Sequence, residues 1–281
     1  MLADPFARYR GLEIAADSPR ADAMAEVPHH AVGDLDLTQA STAASFAAVA
    51  HASIDASLAA GRVPIVTGGT GLYLRAALAD LRFPDPGHPL LRNWAVRLAR
   101  EDPQAALAEL RRRAPERAGR IDAANPRRVA RALEIAAGGV AGAGDDLWTA
   151  PDRHPTVVVG LTRPREVLDR LIAERVRREL DEGLVAELER ALDTPGVARE
   201  PLQVIGAKEV AALRAGDLDP ADLPERLAAR TRRLARKQLT WLRRMAGVTW
   251  LDVGDAPAET ALPALRELYE GPAGHPIPSG P

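Results

Sequence analysis

The sequence contains no cysteine, which excludes disulfides, thiolate nucleophiles and every zinc site that needs sulfur. Any metal would be held by oxygen or imidazole. Aromatic residues make up only 4% of the chain, and lysine is nearly absent, with Lys208 and Lys237 as its two instances. We attribute the dominance of Arg over Lys, together with abundant Ala, to a GC-rich genome. The mere presence of an Arg therefore means little, and only clusters of Arg without nearby acids count. No run of about 18 apolar residues occurs, and Met1-Leu2-Ala3-Asp4-Pro5 lacks a basic start followed by an apolar stretch. No membrane span is expected, and a cytoplasmic location follows by default.

Hydrophobic residues at 46% and charged residues at 27%, in 281 residues, suit a globular enzyme with a sizeable core. From Ser41 to Ala60, the residues Phe46, Val49, Ala50, Ile54 and Leu58 recur at helical spacing, and Gly61 stands where a left-handed cap belongs. Arg62 to Thr67 reads as a short strand, followed by the turn Gly68-Gly69-Thr70-Gly71 and a helix over Leu72 to Leu78. Thr156 to Leu161 is a nearly continuous apolar run, expected to be a parallel strand buried on both faces. Thr162 and Pro164 then start a helix whose Leu168, Leu171, Ile172, Val176 and Leu180 share one face, with a break expected at Gly183.

This alternation predicts an α/β fold. Between its parts, residues 84–150 show no convincing strand. Asn125-Pro126 predicts a helix start for Arg127 to Ala136, so the stretch reads as a helical insertion. Residues 1–83 and 151–255 are expected to form the core, and 256–281 a C-terminal helix and a disordered tail. The glycine-rich stretch from Gly138 to Asp146 reads as a flexible connection.

The net charge of −2 conceals segregation. Arg230 to Arg244 carries seven cations and no acid, with Gln238 and Trp241 available for hydrogen bonding or stacking. A second cluster comprises Arg111, Arg112, Arg113, Arg117 and Arg120, followed by Arg127, Arg128 and Arg131. Either alone reads equally well as a solvated helix face; two separated basic surfaces suggest an extended polyanion. The glycine turn lies at the carboxyl end of its strand, where α/β sheets bind ligands and a helix amino terminus attracts phosphate. Glycines also occur in such turns merely because they tolerate positive φ. The adjacent His29 and His30 would point to opposite faces of an extended segment, so a structural role is expected and no metal site is assigned.

In order and spacing these segments resemble the tRNA dimethylallyltransferase family from Asp4 through Arg244. Asp4-Pro5-Phe6-Ala7-Arg8-Tyr9-Arg10-Gly11 is similar to its Asp-Ser-x-Gln-x-Tyr-Arg-Gly segment, and Val27-Pro28-His29-His30 to the element that follows. Pro64 to Tyr73 resembles its Gly-Gly-Thr-Gly-Leu-Tyr turn, and Asn125 to Glu134 its tRNA-touching insertion motif. Gln203 to Glu209 and Thr231 to Arg244 resemble two C-terminal signatures. Ala7 replaces the family's usual glutamine, Ala15 to Ser18 lack its Thr and Lys, and Ala207 replaces a tyrosine.

The resemblance implies transfer of a dimethylallyl group from its diphosphate to N6 of the adenosine immediately 3′ to the anticodon. It implies a nucleotide-binding P-loop-type parallel sheet core with an insertion domain, and Mg²⁺ with the diphosphate. On this resemblance Asp4, Thr70 and Arg175 are the catalytic candidates, with Gly68, Gly69, Thr70, Gly71 and Arg175 on the diphosphate. The tRNA anticodon stem-loop would be held by Asp4, Ala7, Arg92, Arg127, Arg128, Arg131, Arg232, Arg233, Arg236, Lys237, Gln238, Trp241 and Arg243. No Gly-x-x-x-x-Gly-Lys-Ser/Thr loop occurs. The sequence is therefore expected to begin after the family's first strand, phosphate loop and helix, through a misplaced start codon, and to be inactive as it stands. A monomer is expected. A non-catalytic RNA-binding relative and a small-molecule phosphotransferase are the alternatives, and the two distant basic clusters disfavour the second.

Overall fold

A computed structural model of the chain describes residues 1–83, 88–138 and 147–270. In chain order the helices are α1 (Ala21–Glu26), α2 (Ala43–Ala59), α3 (Gly71–Leu78), α4 (Pro89–Glu101), α5 (Pro103–Arg113), α6 (Pro115–Arg120) and α7 (Pro126–Ala137). Strand β1 (Val158–Thr162) leads into α8 (Arg165–Asp181), α9 (Leu184–Leu192), α10 (Ala207–Ala215) and α11 (Leu223–Leu242), then β2 (Val248–Asp252) and α12 (Leu262–Glu270).

Local chemistry explains most helix boundaries. Thr42 Oγ1 accepts from Ser45 N at 3.0 Å while Ser45 Oγ accepts from Thr42 N at 3.0 Å, a reciprocal cap that starts α2. Gly61, at φ +66°, ends it. Asn125 Oδ1 accepts from Arg127 N at 3.1 Å, with Pro126 opening α7, as its sequence predicts. Gly183, at φ +101°, separates α8 from α9.

Chain contacts divide the protein into residues 1–80 with 150–281 and residues 81–149. The smaller unit is purely helical among its described residues. Ala95 and Ala99 of α4, Ala106 and Leu110 of α5, and Val129 and Leu133 of α7 bury one another there, small residues letting the helices approach. In the larger unit Tyr9 and Leu12 pack with Ile172 and Val176 of α8, Leu184 and Leu188 of α9, Val210 of α10 and Leu227 of α11. Each such buried aliphatic side chain contributes about 1.5–3 kcal/mol. The connection expected over 138–146 lies, from residue 139, outside the described residues, as do the expected tail over 271–281 and residues 84–87.

The sheet is smaller than the sequence suggests. β1 and β2 pair in parallel, from Val158 opposite Val248 to Thr162 opposite Asp252. Residues 62–67, expected to be a strand, stay extended but join only through a single parallel bridge between Leu2 and Thr67. Among the described residues Met1 to Ala3 run beside them, with Met1 N donating to Ile65 O at 3.0 Å and Ala3 N to Thr67 O at 2.7 Å. The apolar run 156–161, expected to be buried on both faces, is so only at Gly160. Val157 is 40% and Leu161 46% exposed, because β2 is the one strand beside β1 among the described residues. The result is a mostly helical α/β fold with a small parallel sheet.

Candidate active site

Asp4 follows the Leu2–Thr67 bridge, and its Oδ1 accepts from Phe6 N at 2.7 Å and Ala7 N at 3.2 Å. Burial pushes its pKa above the ordinary carboxylate value. The two backbone donors and the Arg175 charge pull it back down. Asp4 and Arg175 line one cleft of about 310 Å³. Its apolar wall is built by Leu168, Leu171 and Ile172 of α8 with Leu184 and Leu227, while α11 adds the neutral polar groups of Thr231 and Gln238.

Arg175 reaches this cleft from the middle of α8. Its Nε donates to Glu179 Oε1 at 2.6 Å, and its Nη1 lies 3.1 Å from Asp17 Oδ2. Sequence reading missed both carboxylates. Glu179 stands four residues beyond Arg175, a spacing that puts two side chains on one helix face and could have revealed it; Asp17 had no such signal.

The glycine turn does not itself line the cleft. It is fixed by close approach more than by backbone conformation. A Cβ on Gly68 would lie 2.6 Å from Ala3 O, one on Gly69 2.2 Å from Gln238 Nε2, and one on Gly71 2.4 Å from Trp241 Cε3. Gln238, which does line the cleft, thus packs directly on the turn. Thr70 caps α3 by position, yet its side chain makes no cap bond, and its hydroxyl has no hydrogen bond among the described residues.

Not every expected contact residue is placed to touch a ligand. Ala7 is 1% exposed, so its methyl offers RNA no surface. Of the seven cations in the basic run, Arg230 is held by Glu209, with Nη1 2.7 Å from Oε2, and Arg232 by Glu225. Arg233, Arg236, Lys237 and Arg243 are exposed and have no ion pair among the described residues. In the smaller unit Arg131 pairs with Glu134 at 2.8 Å, while Arg92, Arg127 and Arg128 are exposed without an ion pair among the described residues. Arg112 and Arg113 share Glu109. His29 Nδ1 sits 2.9 Å from Val27 O, and the His30 backbone carbonyl accepts from Leu2 N.

No group of three or more His, Asp or Glu residues suited to a metal occurs among the described residues. Magnesium ordinarily keeps several of its waters and is held through one or two carboxylates together with substrate phosphates, so a full shell of protein oxygens is not required; the Asp4 carboxylate in the cleft is a group of that chemistry. No described helix is long and apolar enough to cross a membrane.

A family model for IPP transferase matches residues 7–245. A tRNA dimethylallyltransferase of Thermomicrobium roseum is 40% identical over 258 residues, which covers 89% of this chain and 77% of that protein. One from Thermobifida fusca is 38% identical over 260 residues, covering 91% and 80%. The crystal structure of a full-length tRNA isopentenylpyrophosphate transferase from Bacillus halodurans superposes with a TM-score of 0.70 at 29% identity, over 97% of this chain and 87% of that one. A eukaryotic dimethylallyltransferase acting on tRNA shares the fold, with a TM-score of 0.76 at 22% identity, over 95% of this chain and 70% of that one. With 239 of its residues inside the matched span and relatives this similar, the chain belongs to the IPP transferase family.

Proposed function

We propose that this chain transfers a dimethylallyl group from dimethylallyl diphosphate to N6 of the adenosine immediately 3′ to the anticodon of tRNA. The names of its relatives support the reaction. The observation that carries the assignment of residues is the shared cleft of Asp4 and Arg175, polar at these two side chains and apolar along α8.

The exocyclic amine of adenine is a weak nucleophile, because its lone pair is delocalised into the ring. A carboxylate that removes the proton as the new C–N bond forms lowers that barrier. Asp4 supplies it, from a half-buried site where the carboxylate is a stronger base than in water. As N6 attacks C1 of the dimethylallyl group, the C1–O bond breaks and negative charge collects on the leaving diphosphate. Arg175 is the fixed donor in the cleft for that charge, and the Thr70 hydroxyl, outside the cleft lining and without a hydrogen bond of its own among the described residues, is the second donor we assign to the diphosphate. The adenosine leaves its stack to reach the cleft. The exposed cations Arg233, Arg236, Lys237 and Arg243 hold the RNA backbone, as do Arg92, Arg127 and Arg128 on the smaller unit.

The test is to incubate the chain, as it stands and extended upstream in its gene to include a phosphate loop, with labelled dimethylallyl diphosphate and tRNA, then digest the RNA and locate the label by mass spectrometry. Label on N6 of that one adenosine with the extended chain, lost in Asp4→Asn, is the expected result. Label elsewhere, or none at saturating donor, overturns the proposal.

A further inference from the structure

Arg175 carries more carboxylate than a residue waiting for an anion needs. Glu179 is buried, its side chain 11% exposed, and its Oε1 accepts from Arg175 Nε at 2.6 Å. Asp17 takes the Nη1 edge at 3.1 Å and is itself held by Arg178, whose Nη2 is 3.2 Å from Asp17 Oδ1. Asp17 is one of two non-glycine residues with positive φ among the described residues, at 48°. The backbone leading to it is fixed from another element: the buried carboxylate of Glu187 on α9 accepts from Ile14 N at 3.0 Å and Ala15 N at 2.9 Å. The guanidinium is therefore gripped on two edges by groups that are themselves anchored. Its Nη2 has no hydrogen-bond partner among the described residues.

The charged side chains on the cleft wall are Asp4, Arg175 and Glu179; Asp17 and Arg178 stand behind them, and α11 faces them with neutral Thr231 and Gln238 only. We infer that Glu179, with Asp17, is a positioning residue that holds the Arg175 guanidinium beside Asp4. Arg175 is the cation felt at Asp4. A long, 36% exposed side chain would otherwise spread over many rotamers toward solvent, taking its charge with it. Burying Glu179 costs desolvation, and a buried carboxylate that served stability alone is better replaced by an apolar residue. Keeping Arg175 in one orientation gives that cost a function. The inference rests on the proposed reading for its catalytic meaning, but its geometry can be tested without catalysis.

The test is to titrate the Asp4 carboxyl in the full chain by ¹³C NMR, identifying its signal by its loss in Asp4→Asn. Glu179→Leu frees the guanidinium, so the Asp4 midpoint is expected to rise by about half a pH unit or more. Glu179→Gln keeps the hydrogen-bond acceptor and drops the charge, so the midpoint stays or falls. In an Arg175→Leu background, Glu179→Leu is expected to move it no further. Shifts of the same sign and size in the Leu and Gln variants, or an undiminished shift without Arg175, overturn the inference. A fold lost in Glu179→Leu leaves the Gln variant decisive together with Asp17→Gly, which removes the acceptor at a positive-φ position that glycine tolerates and is expected to raise the midpoint less than Arg175→Leu does; no rise in Asp17→Gly, or a rise in Glu179→Gln, overturns the inference. Expected shifts in a chain that transfers no dimethylallyl group would sink the proposed reaction and leave the positioning role standing.

Discussion

The indole of Trp241 lies against Gly71 so closely that a Cβ at this glycine would meet Cε3 of the ring at 2.4 Å and its Cβ at 2.9 Å. Gln238, one helical turn earlier, meets Gly69 in the same way. The basic helix α11 and the glycine turn are thus one packed body, so a displacement of the helix is felt at the turn.

Gly71→Ala must push the indole or the turn aside, because the near atoms include the Trp241 Cβ as well as the end of the ring. The expected cost is about 1–3 kcal/mol, read as a lower urea midpoint with an unchanged slope. An alanine variant as stable as the wild type would mean that α11 yields freely at this contact.

The helices were legible because their signals are local. Asn125-Pro126, Gly61 and Gly183 mark ends through their own backbone chemistry, and all three mark helix ends in the structure. Residues 62–67 mislead because a strand needs neighbours that a local pattern cannot supply; among the described residues only Met1 to Ala3 run beside them. The sequence of the glycine turn points to a diphosphate site or to mere tolerance of positive φ, but its tightest constraint comes from Gln238 and Trp241, far along the chain. The run from Arg230 looked free of acid because Glu209 lies on α10 and Glu225 two turns back on α11. Asp4 and Arg175 were singled out through family resemblance; no pattern in the sequence announces that they share a cleft.

Asp4 links activity to instability. Burial raises its pKa above 3.8, so over the interval between 3.8 and the raised value the folded chain binds more protons than the unfolded one. Stability from this group is therefore fullest below 3.8 and declines as pH rises through the folded pKa. Asp4→Asn removes that decline. Its Tm is expected to exceed that of the wild type at pH 7, with the gain shrinking toward pH 4, while transfer falls by about 10²–10⁴-fold. Glu179 and Glu187, also raised by burial, leave a residual slope of the same sign in the variant. Equal Tm values at every pH would show that the Asp4 carboxylate pays no desolvation cost.

Arg75 fastens the chain where it returns to the larger unit. Only 6% exposed, it places Nη1 2.5 Å from Asp152 Oδ1 and Nη2 2.5 Å from the Ala150 carbonyl. Arg75→Leu strands the Asp152 carboxylate, and a loss of about 3 kcal/mol is expected in chemical denaturation. Arg75→Leu combined with Asp152→Leu is expected to recover part of that loss. A double variant worse than the single would show that Arg75 acts through the Ala150 carbonyl instead.

The salt dependence of tRNA affinity distinguishes the cations of α11 by whether the protein already compensates them. Lys237 is exposed without an acidic partner among the described residues, so a phosphate it contacts releases a counterion that nothing else would release. Lys237→Ala is expected to flatten the slope of log affinity against log salt by about 0.7–0.9. Arg230 already faces Glu209 at 2.7 Å, and Glu209 also accepts from Gly206 N at 3.2 Å at the start of α10. Arg230→Ala should therefore leave the slope almost unchanged and instead loosen α11 from α10, lowering thermal stability. Fluorescence anisotropy with labelled tRNA at a series of salt concentrations reads both slopes. Equal flattening by the two substitutions would mean that the Glu209 pair opens on RNA, so that a charge paired in the free chain still acts as a phosphate contact in the complex.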